Sequence, residues 1–225
     1  MKAAENTIRV WDPIVRIGHW TLVIAFFTAY FTEDDFLTQH VWAGYVVGIV
    51  VCIRLLWGFV GTKHARFTDF VRSPAAVLRY IRDHVTHGAR PYVGHNPAGG
   101  AMILVLLIGL AGTVFSGLVL YAIEEDAGPL AGWVAESPSN PGLPSLISSA
   151  KADGDGREDG KEHEKDAREE FWEALHEIFT NVTLVLIGFH VAGVLFSSYV
   201  DKENLIWAMV TGRKQRHSPE SSSQE

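Results

Sequence analysis

Apolar residues gather in four stretches separated by polar connections: Ile14–Phe31, Val41–Val60, Ala101–Ile123 and Ile178–Tyr199. Each runs 18 to 23 residues with few charges, and at about 1.5 Å of rise per residue such a length crosses about 30 Å of hydrocarbon. A soluble helix keeps a polar stripe, yet Ala101–Val119 holds nothing more polar than Thr113 and Ser116. The pattern predicts an all-α integral membrane fold with four spans. Between spans two and three, Ser73-Pro74 reads as a helix start, with Ser as cap and Pro in the first turn. Val77, Leu78, Ile81 and Val85 then form an apolar face opposite Arg79, Arg82 and Asp83, the make-up of a short cytoplasmic amphipathic helix that either lies on the inner leaflet or packs as a soluble helix on the bundle ends. A second short helix is expected at Asn204–Val210, ending at Gly212.

The connections differ in charge, and that difference orients the spans. Segment 61–99 carries six basic residues, Lys63, Arg66, Arg72, Arg79, Arg82 and Arg90, against Asp69 and Asp83. Arg9, Arg16, Arg213, Lys214 and Arg216 fall on the same side, whereas Glu33, Asp34 and Asp35 and the acidic segment 124–175, with 14 acidic and five basic residues, fall on the other. Positive charge stays inside, so both termini and segment 61–99 are expected in the cytoplasm of a bacterium and the acidic connections in the periplasm. The first apolar stretch runs into Phe31-Thr32-Glu33 without a small-residue cleavage pattern, so it is expected to remain as a helix. These features predict a transmembrane domain over residues 1–217, a mobile acidic insertion at about 124–173 and a disordered tail over 218–225.

Four histidines, His19, His40, His176 and His190, sit inside or at the ends of the apolar stretches, and an ionisable side chain within a membrane is costly and points to function. By depth, His19 matches His190 toward the cytoplasmic side, and His40 matches His176 toward the periplasmic side. His176 and His190 stand 14 residues apart, which places them within about 40° of one helix face and about 21 Å apart along it. One helix can thus present two ligands to two neighbours. Paired imidazoles suit the iron of a b-type haem or a proton relay, and spacing does not choose between them. Cys52 is the only cysteine, which excludes a disulfide, a four-cysteine cluster and covalent C-x-x-C-H haem attachment; it is expected to be a small buried residue. The small residues Gly18, Gly44, Gly48, Gly109, Gly112, Gly117, Gly188 and Gly193 allow close approach of helices or a macrocycle.

The remaining histidines, His64, His84, His87, His95, His163 and His217, fall in loops, tails or surface helices. His84 and His87 lack a third partner for a metal. His95-Asn96-Pro97 opens the third span, where His95 is a candidate for a quinone or haem propionate beside its helix-start role. Arg54, near the inner end of span two, either snorkels to headgroups or pairs a haem propionate.

In order along the chain, Trp11-Asp12-Pro13, Arg16-x-x-His19-Trp20, His40-x-x-x-Gly44-Tyr45 and Arg54-Leu55-Leu56-Trp57-Gly58-Phe59-Val60-Gly61 are followed by Ala65-Arg66-Phe67 and Gly94-His95-Asn96-Pro97-x-Gly99. His176-Glu177, His190-Val191 and Met209-Val210-x-Gly212 complete the series. With these runs the chain resembles the prokaryotic cytochrome b561 family, in the branch of the b-type cytochrome subunits of nickel–iron hydrogenases and partners of small c-type cytochromes. The long segment Glu124–Glu173 departs from that pattern. The resemblance implies a four-helix bundle with two haem b groups, the inner held by His19 and His190 and the outer by His40 and His176. It also implies electron exchange between membrane quinone and a periplasmic redox partner, a c-type cytochrome or a hydrogenase-like complex.

Two imidazoles per iron leave no open position, which favours an electron carrier over a stand-alone enzyme. The acidic segment favours a basic partner and disfavours superoxide, the substrate of a superoxide oxidase, the alternative within that family. A histidine-lined ion or metal transporter is the alternative from another class. Membrane lipid is an expected partner; nucleic acid is not.

Overall fold

The computed structural model describes residues 7–33, 35–87, 95–136, 157–200 and 203–215. Its helices are α1 (Pro13–Tyr30), α2 (Leu37–Val60), α3 (Phe67–Phe70), α4 (Pro74–His87), α5 (Pro97–Glu124), α6 (Ala131–Glu136), α7 (Arg157–Val200) and α8 (Leu205–Thr211). A two-stranded antiparallel pair, β1 (Thr7–Arg9) with β2 (Arg213–Gln215), is the one departure from the all-α expectation among the described residues. Four helices, α1, α2, α5 and the Lys165–Val200 part of α7, are long and apolar enough to cross a membrane.

The chain forms two compact units, residues 1–108 with 184–225, and residues 109–183. In the first, α1 and α2 pack as an antiparallel pair. Asp12, the N-cap of α1, accepts hydrogen bonds from Trp57 Nε1 at the end of α2 and from Thr62 just beyond it. At the other end His40, in the first turn of α2, bonds Ala29 near the end of α1. Much of the apolar surface faces outward: Ile17, Ile24 and Leu56 are each 68% exposed. Contiguous apolar exposure on this scale marks a surface covered by lipid rather than water. Cys52 is exposed as well, contrary to the burial expected of it. It falls on the α2 face that carries the exposed Ile49, Ile53 and Leu56, at the three- and four-residue spacing of one helix side.

The helix limits follow local chemistry. Asn96 accepts from the Gly99 N–H and starts α5, and Asn204 accepts from the Trp207 N–H and starts α8. Gly212, at φ +78°, closes α8, a left-handed cap that side-chain-bearing residues rarely adopt. Its carbonyl receives the N–H groups of Val10 and Trp11, and Arg16 donates to the Val210 carbonyl. The segment before α1 and the segment after α8 are therefore joined.

In the second unit, Val119, Ala122 and Ile123 of α5 and Val134 of α6 form a buried cluster, with Leu130, Ala131 and Trp172 packed against it. Part of the insertion expected to be mobile is helical: α7 begins at Arg157, well before the apolar stretch. Residues 157–173 contain no proline and are rich in Glu, Lys and Arg, good helix formers, with opposite charges three apart at 158/161, 161/164 and 162/165 and four apart at 164/168 and 165/169. The rest of the Pro-rich stretch, 137–156, and the tail expected over 218–225 lie outside the described residues.

Candidate functional site

His19 lies two turns into α1, and its ring faces that of His190 on α7, with centroids 6.3 Å apart and planes inclined by 57°. Trp20 meets His19 edge-on at 5.2 Å. The Nδ1 atom of His19 is buried and finds no hydrogen-bond partner among the described residues, a costly arrangement for a polar atom. A metal ion bound to one nitrogen of each ring at about 2 Å, each nitrogen lying about 1.1 Å from its ring centre, sets the centroids about 6 Å apart. The spacing of His19 and His190 fits such an ion.

His40 and His176 are held differently, each by its own neighbours in its own unit. His40 Nδ1 lies 3.0 Å from the Ala29 carbonyl. His176 Nδ1 lies 3.0 Å from the Thr113 carbonyl and 3.1 Å from Ser116 Oγ. A carbonyl only accepts, so Nδ1 carries the proton in both rings and the lone pair resides on Nε2. That is the tautomer of a metal-ligating imidazole whose orientation is set by a backbone oxygen. Ser116 Oγ is 2.8 Å from the Gly112 carbonyl and donates there, leaving its lone pairs toward the His176 ring.

Space for a flat group is also present. A Cβ at Gly44, one turn after His40, would meet no atom within 4 Å, nor would one at Gly188 or Gly193, which flank His190. At Gly117 the opposite holds, since a Cβ there would lie 2.8 Å from His176 Cε1. Open glycine faces beside His40 and His190, and donor sets of neutral imidazoles, fit a planar macrocycle with its iron held by histidine.

Near the ends of α1 and α2, Arg54 and His95 share Phe70, which is 1% exposed. The His95 ring lies 4.4 Å from Trp11 and 4.9 Å from Phe70. The Arg54 guanidinium stands 5.8 Å from Phe70 and 5.5 Å from Phe67 while donating to the Ala65 carbonyl at 3.1 Å. Asn96, rather than His95, caps α5.

Asp12 is the functional-site neighbour that sequence reasoning passed over. Besides Trp57 and Thr62, at 2.9 and 2.6 Å, it accepts from the Val15 N–H at 2.9 Å. Partial burial alone would raise its pKa, but the hydrogen bonds from Thr62, Trp57 and the helix start outweigh that and hold it below the ordinary carboxylate value. Asp before Pro13 signals a helix cap; its partners 45 and 50 residues away carry no local signal. Thr183 was also missed: it is fully buried in α7, seven residues from both His176 and His190, and its hydroxyl has no partner among the described residues. His64 pairs with Asp69 at 3.2 Å. The side chains of His84, His87, His163 and His217 lie outside the described ones, and among the described residues no cluster of three or more His, Cys, Asp or Glu is gathered for a metal ion.

Comparison with known proteins adds a lineage. The family model described as prokaryotic cytochrome b561 matches residues 10–212. The chain is 27% identical over 167 residues to the probable Ni/Fe-hydrogenase B-type cytochrome subunit of Rhodobacter capsulatus, covering 58% of this chain and 62% of that one. Its likeness to the protein of the same name in Bradyrhizobium diazoefficiens is 29% over 160 residues, covering 57% and 65%. For the Azotobacter vinelandii protein of that name it is 30% over 162 residues, covering 58% and 68%. The chain thus spans slightly under two thirds of the first two relatives. No solved structure matches it significantly.

Proposed function

The chain belongs to the prokaryotic cytochrome b561 family, and from that premise we propose that it is a dihaem b-type membrane cytochrome, passing electrons between membrane quinone and a redox partner outside the cell membrane. The observation that carries this reading is the approach of two half-buried imidazoles, His19 and His190, at 6.3 Å between two helices long and apolar enough to span a membrane. In this reading His19 and His190 hold the inner haem and His40 and His176 the outer one, within a four-helix bundle whose termini are cytoplasmic.

Bound haem supplies the one-electron chemistry. The chain's own residues then hold and insulate. Backbone carbonyls of Ala29 and Thr113 fix the Nδ1–H groups of His40 and His176 and so aim their Nε2 atoms. Two histidines at each centre would hold the iron and leave it no site for oxygen, which suits electron transfer. Arg54 supplies a positive charge for a propionate, and His95, against Trp11 and Phe70, borders the quinone. The relatives are named as hydrogenase subunits, and a hydrogenase-like complex or a basic c-type cytochrome is the partner this reading favours, drawn by the 14 acidic residues of segment 124–175.

The test is a reduced-minus-oxidised spectrum of the purified chain with haem counted per polypeptide. Two b haems are expected; a colourless protein would overturn the reading in favour of a histidine-lined transporter. A reporter fused after residue 88 should be cytoplasmic and one after residue 155 periplasmic, and the reverse would exchange the labels inner and outer. Electron transfer to a basic cytochrome should slow as salt shortens the screening length below about 10 Å; a rate indifferent to salt assigns docking to another surface.

A further inference from the structure

Helix α4 presents two different sides. Ala76, Val77 and Tyr80 are half-buried and form its protein-facing side. Leu78 and Ile81, three apart and so on one face, remain 68% and 45% exposed. Arg79 and Arg82 follow them one position on, about 100° around the helix, and are exposed. The apolar pair is thus not used in packing the helix onto its unit, and it is edged by cations.

The place of α4 is set by the chain. Asp12 joins the start of α1 to the end of α2, and α4 follows that end after one short turn and α3. It therefore leaves the membrane beside the edge of a spanning helix, on the side where the two chain ends pair. Residues 61–87 there hold five basic and two acidic side chains. Two aliphatic residues are far too little for a stable protein interface, which buries about 800 Å² on each partner, but they suit the boundary between headgroups and acyl chains. The exposed pair Arg82–Asp83, at 3.2 Å, contributes little and uses only part of a guanidinium with five N–H donors.

We propose that α4 is a lipid-reading helix: Leu78 and Ile81 enter the acyl boundary of the adjacent leaflet while Arg79 and Arg82 bind the phosphates of anionic phospholipids. The site is independent of the haem assignment. Its affinity for the surface rises with the leaflet's negative charge and falls with salt, since each arginine near an anionic surface is worth about fivefold in binding.

The experiment uses the full chain in lipid nanodiscs, with Cys52→Ser removing the one native thiol and a fluorophore placed at Leu78→Cys or Thr86→Cys. In discs containing phosphatidylglycerol, the label at 78 should be quenched by brominated lipid and shielded from aqueous iodide, and the label at 86 should behave oppositely. Adding Arg79→Glu and Arg82→Glu should shift the label at 78 toward iodide exposure by about tenfold or more in the docked-to-undocked ratio. In phosphatidylcholine discs the same substitutions should change little. A label at 78 as open to iodide as that at 86, or shielding indifferent to lipid charge and to both arginines, would overturn the proposal. So would shielding that grows with the number of chains per disc, which would assign the face to a second copy. Thermal unfolding of each variant separates a local change from loss of the fold.

Discussion

His40 and His176 each give their Nδ1 proton to a helix carbonyl, whereas the buried Nδ1 of His19 has no hydrogen-bond partner among the described residues and its ring meets another imidazole instead. The same residue type, on the same kind of helix, thus has two surroundings. A carbonyl-bonded imidazole is fixed in rotation and richer in electrons, so as a ligand it stabilises the more oxidised iron. A ring without that bond owes its orientation to packing alone. In the proposed dihaem reading, the difference separates two centres that their histidine content would call alike.

The largest effect with which to break the comparison is loss of one centre at a time. His19→Ala and His190→Ala should each reduce haem content from two to one per chain, and His40→Ala and His176→Ala should each remove the other haem. Pyridine haemochrome counting with low-temperature spectra of the split α-band checks this. If all four variants lose the same haem, the pairing is wrong.

A more selective blow falls at Gly117, where a Cβ would lie 2.8 Å from His176 Cε1. Gly117→Leu should displace that ring and abolish the His176-dependent haem while sparing the one tied to His19 and His190. Retention of both by the same spectra would show that the His176 ring moves without consequence.

Asp12→Ala tests the frame rather than a ligand. It removes a helix cap and the acceptor of Trp57 and Thr62, and should lower stability by about 1–2 kcal/mol, read as a fall in thermal midpoint; Asp12→Asn should recover part of it. Because the folded-state pKa of Asp12 is lowered, its contribution is complete above the ordinary carboxylate value of 3.8 and is lost as pH falls below that value through the lowered one. The Asp12→Ala deficit should therefore shrink in acid.

The smallest effect is the sharpest. In a redox titration the centre dependent on His19 should have the higher midpoint potential, and Ser116→Ala, which removes one neighbour of the His176 Nδ1, should move only the lower one. Equal potentials would mean that the carbonyl bonds orient the rings without tuning them.

Much of this was readable in the chain. Span length and hydropathy are local properties, so the four crossing helices followed from composition, and Asn96, Asn204 and Gly212 stood where helix starts and stops should be. The His19–His190 approach was accessible because depth in a membrane is a single coordinate that residue counting supplies. The Asp12 contacts were not accessible, because bonds to Trp57 and Thr62 depend on how two helices meet, not on either alone. Residues 157–166, part of the insertion expected to be mobile, are helical and extend α7, because the Glu, Lys and Arg that make them polar are also good helix formers. Cys52 was misjudged because burial rules written for water invert where the solvent is lipid.

The tie between the chain's two ends carries a consequence for biogenesis. Arg16 and the Val210 carbonyl that it holds are 194 residues apart, and at about 5–20 residues per second the ribosome needs on the order of ten to forty seconds to make the second after the first. Throughout that interval the first helix waits in the bilayer without its clasp. Pairing of β1 with β2 therefore comes only after all four long apolar helices between them have been made.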